Sequence, residues 1–471
     1  MLAAPEDAPP NIARVPWWGV ALLAAIAAPL RTATAGSQSL WYDEVFTARV
    51  AEGSWGGLLG RVTDLETTPP AYYVLVKLLV DALGSSELVL RLLSIVSSAL
   101  LVWLGIRVAE LLAPRARGAA GWWAGALLAV NPFLVWFGQE ARVYALLALA
   151  TLGLVWATLR WLDDDSWRRA GVWTAWATLT VLAHYPGWVY VAAAGVVLLV
   201  GRGIGASRGF DVRRLAVAAG IVIVVAAAQL PLLLDQAAGA RTDWIDDASL
   251  PRRLALVPQQ FMTGLESPAQ NAVAGALLLL LGALLVYGVR RLGRPARRVV
   301  LGFVVLPIVV LVIAALVGED LIVTRNLIGL LPLLLIVAAI GAVGRWRLVA
   351  AALTVGFLAL SFVITLDPDY RRPDWQGAVE RAEAQQDDGP LALRAVPELQ
   401  GELIRYYAET PAVDVTGDDA TLPHETYLVG DVIGGGAEFV DADVAAPGMR
   451  CERGTAIGRV RIVTCVQGRP D

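Results

Sequence analysis

Residues 299–317 read VVLGFVVLPIVVLVIAALV, nineteen residues without one polar side chain. A helix rises about 1.5 Å per residue, so this run spans roughly 28 Å, close to the ~30 Å hydrocarbon layer of a bilayer. A helix in a soluble protein is apolar along one stripe only. This one is apolar all round, so lipid is its solvent. Arg290, Arg291, Arg294, Arg297 and Arg298 stand before it, and a short polar turn from Gly318 to Arg325 follows.

Working outward, ten further apolar runs lie at 15–30, 88–112, 119–136, 144–162, 170–183, 188–200, 215–234, 272–289, 327–343 and 348–366. The 471 residues are 57% hydrophobic and 17% charged, with a mean hydropathy of +0.61; soluble domains are about 25% charged. The expected fold is therefore an α-helical polytopic membrane protein of about eleven transmembrane helices. A net charge of -4 leaves no basic domain for a nucleic-acid partner. Lys77 is the single lysine among 38 basic residues, a bias expected of a GC-rich bacterial genome.

Arginines gather in alternate connections: at 115–117, 160–169, 202–214, 290–298 and 345–347. Positive short loops stay in the cytoplasm, which puts residues 1–14 inside as a cytoplasmic tail, the 15–366 transmembrane domain between, and the first long loop, 31–87, outside. Residues 367–471 trade leucine runs for Asp, Glu and Gly, and read as a small extracytoplasmic α/β domain. Its two cysteines, Cys451 and Cys465, are expected to form a disulfide in that oxidising compartment.

Polar residues cluster on the outer side. The first loop carries Trp41-Tyr42-Asp43-Glu44 and then Glu66-Thr67-Thr68-Pro69-Pro70-Ala71-Tyr72-Tyr73. Asp43 has two readings, a helix cap or a base, and spacing leaves both open. Glu87 and Arg91, at i,i+4, suggest an intrahelical ion pair. The turn Gln139-Glu140-Ala141-Arg142-Val143-Tyr144, the pair His184-Tyr185 and the run Thr324-Arg325-Asn326 lie at the same level. Ionisable groups at membrane depth point to function. Acids beside arginines near a bilayer surface suit a lipid-linked phosphosugar, since guanidinium binds phosphate by charge-assisted bonds. A polytopic lipid or sugar transporter or flippase is the alternative, and it would spread polar groups through the whole depth.

Taken in order, these motifs resemble the bacterial GT-C glycosyltransferases related to protein O-mannosyltransferases and aminoarabinose transferases, family 39-like. The resemblance covers about residues 17–372. It implies an enzyme that takes a sugar from a polyprenyl-monophosphate carrier on the extracytoplasmic side of the bacterial inner membrane and passes it, with inversion, to a cell-envelope acceptor. It implies Asp43 as general base and Arg142 and Arg325 on the carrier phosphate, with His184 or Tyr185 assisting. Glu44, Tyr72, Tyr73, Glu140 and Tyr144 fall in the expected substrate site, and a divalent cation (Mg, Mn or Ca) on Asp43 and Glu44 stays open. Two departures stand out: Asn326 follows Arg325 where many relatives carry tyrosine, and the tail is unlike the sugar-binding domain of eukaryotic protein mannosyltransferases.

Overall fold

The computed structural model describes residues 14–202, 211–239, 245, 248–318, 320–384, 393–396, 401–408, 424–430, 449–457 and 459–467. Its helices are α1 (Trp17–Thr32), α2 (Tyr42–Glu52), α3 (Leu58–Leu65), α4 (Ala71–Leu83), α5 (Glu87–Leu112), α6 (Arg117–Val130), α7 (Pro132–Gly138), α8 (Tyr144–Asp163), α9 (Trp167–Ala183) and α10 (Gly187–Arg202). They continue as α11 (Val212–Ala227), α12 (Leu230–Ala237), α13 (Leu250–Thr263), α14 (Gln270–Arg291), α15 (Arg294–Leu316), α16 (Leu331–Ala342), α17 (Arg347–Leu366), α18 (Trp375–Ala384) and α19 (Gly401–Tyr407).

Every apolar run is helical, and seven or eight of the eleven are candidate membrane spans by length and composition among the described residues. Among the described residues seven helices are long and apolar enough to cross a membrane: α5, α8, the α11–α12 segment Val212–Ala238, α14, α15, the segment Thr324–Ala342 ending in α16, and α17. The bent pair α6 and α7 makes an eighth. The other three runs became α1, α9 and α10, of 16, 17 and 16 residues; at about 1.5 Å per residue they fall short of ~30 Å.

The 60° bend between α6 and α7 has a local cause. Pro132 cannot continue the hydrogen-bond ladder, and Asn131, in extended backbone, caps α7 by accepting from the Leu134 N–H at 3.0 Å. Carbonyls freed at the end of α6 are taken by the buried Arg31, whose Nη1 donates to Ala129 O at 2.8 Å and whose Nη2 donates to Leu128 O at 3.3 Å.

Spans α8 and α16 are the most enclosed, and α11, with Ile223 and Val224 exposed, faces lipid. Helices α14 and α16 meet backbone to backbone. A side chain at Gly288 would collide with the Val337 carbonyl, and one at Gly341 with the Leu284 carbonyl, the small-residue contact that lets membrane helices close up. The first loop holds α2, α3 and α4. Helix α4 buries Tyr72, Tyr73 and Val76 and leaves Leu78 and Leu83 exposed.

After α17 the chain turns back over that loop. Ser39 Oγ donates to Pro373 O at 3.0 Å, and the Leu40 N–H donates to Tyr407 Oη at 2.6 Å. Four strands follow: β1 (Leu393–Val396), β2 (His424–Gly430), β3 (Met449–Ile457) and β4 (Val460–Gln467). They pair in the order β1-β2-β4-β3, with only β1 and β2 parallel. Cys451 stands opposite Cys465 in the β3–β4 register; their side chains lie outside what is described.

Candidate functional site

Helix α2 starts at Tyr42 after an extended Trp41. Acidic side chains suit a first turn, where backbone N–H groups point outward, and two are present. Glu44, not Asp43, takes the capping role: its Oε2 accepts the Trp41 N–H at 3.3 Å. The same carboxylate is fully buried and accepts Arg91 Nε at 2.8 Å, Arg91 Nη2 at 2.7 Å and the Ala141 N–H at 2.7 Å. Burial alone would raise its pKa, but the Arg91 and Arg372 charges reverse that and bring it to about 2. Two expectations are thereby corrected. Arg91 pairs with Glu44 rather than with Glu87, and Glu44, both oxygens engaged, ties three segments together instead of facing a substrate or cation.

Asp43 has the opposite environment. Its side chain keeps 17% exposure, and Oδ2 accepts from Arg325 Nη1 at 3.1 Å. Arg325 is 26% exposed and lies over the Tyr144 ring, 5.6 Å from its centroid. Its place is set from below: the Arg253 guanidinium on α13 pairs with Asp320, and Asp320 Oδ1 accepts the Ile322 N–H at 2.9 Å. This braces the segment that enters the Thr324–Leu330 3-10 turn.

Arg142 is buried. Its Nη1 donates to both oxygens of Glu66, at 2.6 and 2.8 Å, and to Asp43 O at 3.1 Å. The guanidinium expected on a phosphate therefore spends its charge on Glu66 in this state, and steadies the backbone of Asp43. Tyr72 and Tyr73 are internal. Tyr72 Oη is 3.3 Å from Ser94 Oγ, which donates to Arg142 O, and Tyr73 Oη is 2.7 Å from Thr68 Oγ1. Tyr72 thus supports the Arg142 loop through Ser94, and Tyr73 steadies the Thr68 turn of the first loop.

Glu140 pairs with neither of the nearby arginines that the sequence offers, Arg142 and Arg49. Its Oε2 accepts Trp136 Nε1 at 3.0 Å and Arg372 Nη2 at 3.3 Å, while the buried Oε1 has no hydrogen-bond partner among the described residues. Burial, only partly opposed by Arg372, lifts its pKa to about 7. His184 is buried against Tyr144, ring centroids 5.8 Å apart. Asn326 is close by, yet neither ring nitrogen meets a partner in hydrogen-bonding geometry. Burial, then the Arg142 and Arg325 charges, lower its pKa to about 3. It is a neutral imidazole, able to give a hydrogen bond but no positive charge. Tyr185 donates to Gln236 Oε1 at 2.8 Å, and Gln236 Nε2 donates to Val62 O and Thr68 O, so it braces the first loop.

The structure thus joins Glu66, Arg142, Asp43, Arg325, Tyr144 and His184 in one contiguous chain. Asp43 and Arg325 are its partly exposed members; the other four are buried. The sequence reading missed Glu66, Arg91 and Arg372. Glu66 stands in the sequence as an acid before Pro69-Pro70; Arg91 reads there as half of a local pair with Glu87, and Arg372 as part of the tail. The donor set does not suit a divalent cation, because guanidinium groups already occupy the carboxylates at its centre. Among the described residues no group of three or more His, Cys, Asp or Glu side chains is placed to hold a metal.

Comparison with protein-family models and with curated proteins gives no match. Solved structures do match. ArnT from Cupriavidus metallidurans in the apo state superposes with a TM-score of 0.56 at 15% identity, covering 94% of this chain and 97% of that one. The same protein bound to undecaprenyl phosphate gives 0.55 at 16% identity, with the same coverage. The archaeal oligosaccharyltransferase AglB from Archaeoglobus fulgidus, in complex with an inhibitory peptide and a dolichol-phosphate, gives 0.51 at 13% identity, covering 83% of this chain and 64% of that one. At these identities the likeness is one of fold: this chain is a polytopic membrane protein with a GT-C-like architecture.

Proposed function

We propose that this chain is an integral-membrane glycosyltransferase, moving a sugar from a polyprenyl-monophosphate carrier to a hydroxyl of a cell-envelope glycan, glycolipid or protein. The observation that carries the reading is the half-open Asp43–Arg325 pair, a carboxylate and a guanidinium that are the partly exposed members of an otherwise buried polar chain. ArnT, of similar fold, binds undecaprenyl phosphate, and AglB binds a dolichol-phosphate; the Asp43–Arg325 arrangement offers such a phosphate a cation beside a base.

In the reaction, the acceptor O–H gives its proton to Asp43 while its oxygen bonds to the anomeric carbon. The bond from that carbon to the phosphate oxygen breaks, and the electron pair leaves with the polyprenyl phosphate. A base contributes about 10²–10⁴-fold. Arg325 changes partners during donor binding: when the phosphate takes its guanidinium, Asp43 Oδ2 is released to act as base. Arg142, committed to Glu66, supplies field at closer to fixed geometry, and Glu44 with Arg91 holds α2 in place. Attack from the face opposite the phosphate inverts the anomeric centre. Arginine placement supports an active site and tail on the extracytoplasmic side of a bacterial inner membrane. The gathering of acids and arginines at one level favours transfer over transport.

Donor binding tests the reading. Native mass spectrometry of the purified protein should show retention of a polyprenyl-phosphate sugar, reduced about tenfold or more in Arg325→Ala, since one charge-assisted bond is worth roughly 1.5–3 kcal/mol. Equal retention by Arg325→Ala and the parent would contradict it.

A further inference from the structure

At the end of the bundle away from Arg325, one membrane span along the Thr324–Ala342 segment, two connections carry arginine and no acid. The α14–α15 connection brings Arg290, Arg291, Arg294, Arg297 and Arg298, and the α16–α17 connection brings Arg345 and Arg347. The close contact of α14 and α16 through Gly288 and Gly341 forces the two together. The result is a shared aromatic floor. Arg291 and Arg345 sit 4.7 and 5.3 Å from the centroid of the same Tyr287 ring, and Trp346 lies 5.9 Å from that ring.

Three other arginines at this end of the molecule have carboxylates, while Arg115, Arg117 and Arg168 have neither a carboxylate partner nor an aromatic floor among the described residues. Arg107 pairs with Glu110 at 2.9 Å, Arg214 with Asp165 at 2.8 Å and Arg169 with Asp164 at 3.4 Å. Among the described residues no carboxylate pairs with any arginine of the two connections. Two long helices also begin here without a side-chain cap, α15 after Gly293 and α17 after Trp346, so their free N–H groups add positive field. Around the patch, Val286, Leu301 and Leu348 are exposed apolar side chains.

We propose that this patch binds the phosphate of an anionic phospholipid headgroup, on the membrane face opposite the candidate active site. Guanidiniums that meet no carboxylate among the described residues, together with helix N-termini, supply the anion site. Tyr287 and Trp346 mark the interfacial depth, and the apolar rim continues into the acyl chains, which a free phosphate would leave unused. Arginine clusters beside span ends recognise anionic lipid in this way.

Titration of the purified full-length protein with phosphatidylglycerol or phosphatidylcholine, read by native mass spectrometry, tests this. The parent should retain phosphatidylglycerol in preference, and inorganic phosphate at about 10 mM, where charges are screened only beyond roughly 30 Å, should not displace it. Replacing Arg291, Arg294 and Arg345 by Gln should lower that retention about tenfold or more, whereas replacing Arg115, Arg117 and Arg168 by Gln should leave it near parental. Equal retention of the two lipids by the parent, displacement by phosphate, or equal loss in both triple variants would each overturn the proposal. Parental retention by the Arg291, Arg294 and Arg345 triple variant would overturn it as well, and where that variant fails to fold the single Arg291→Gln and Arg345→Gln variants carry the comparison, parental retention by both overturning it.

Discussion

Asp43 and Glu44 are chain neighbours with opposite fates, since a helix turns successive side chains about 100° apart. Glu44 points into the bundle, where Arg91 and the Ala141 N–H saturate it, and Asp43 points to the open side beside Arg325. The sequence showed both acids but held no sign of which would be buried, because the deciding partners are 47 and 97 residues away. The difference is measurable. Glu44→Gln leaves Arg91 buried without its charge partner and should destabilise by roughly 3–5 kcal/mol, seen as a fall in melting temperature. Arg142→Ala should destabilise similarly by stranding Glu66, while Arg325→Ala, removing a partly exposed pair, should cost about 1 kcal/mol or less and show its effect in donor affinity instead. A similar melting loss for the two arginine variants would refute that distinction.

Titration at Glu140 follows the same logic. Its folded pKa, about 7, lies above the ordinary 4.5, so the folded state binds the proton more tightly than the unfolded chain does. The stabilisation is complete below about pH 4.5 and is lost as pH rises through about 7. The parent should therefore lose melting temperature relative to Glu140→Gln between pH 4.5 and 8. A difference that stays flat with pH would show that Glu140 does not hold this proton.

Among the elements, the sequence was read best where apolar length alone decides. All eleven runs became helices, and the Asn131-Pro132 break was written in residue types with known backbone habits. Helix length was less legible than helix existence: α1, α9 and α10 stop at 16 or 17 residues because Pro16, Ser166 and the His184-Tyr185-Pro186 break bound them. The α14–α16 contact was invisible, since glycine in an apolar run carries no hydropathy signal. It is open to test. Gly341→Val drives a branched side chain into the Leu284 carbonyl and should cost about 1–3 kcal/mol, whereas Gly282→Val, with open space around it, should melt near the parent. Equal melting of the two variants would contradict the close contact.

For the whole molecule, the membrane class was legible from composition, and the gathering of outer polar segments from their order. How those segments pair was not, because the bonds that join them span the chain: Arg325 to Asp43 across 282 residues, Arg372 to Glu140 across 232. The folded-back tail also touches the Asp43 loop through Tyr407 and Pro373, which makes orientation a joint property of site and tail. Reporter fusions after residue 471 should be active only outside the cytoplasm, and thiol alkylation before reduction should leave Cys451 and Cys465 unlabelled. A cytoplasmically active fusion would invert the topology. The central claim, that Asp43 is the base of a sugar transfer, is met most directly by single-turnover transfer from a purified polyprenyl-phosphate sugar, comparing the parent with Asp43→Asn. Asn keeps the shape and caps a helix about as well as Asp, so the variant should fold and retain donor while transfer falls by about 10²–10⁴; a stable Asp43→Asn protein that transfers at the parental rate would contradict the account.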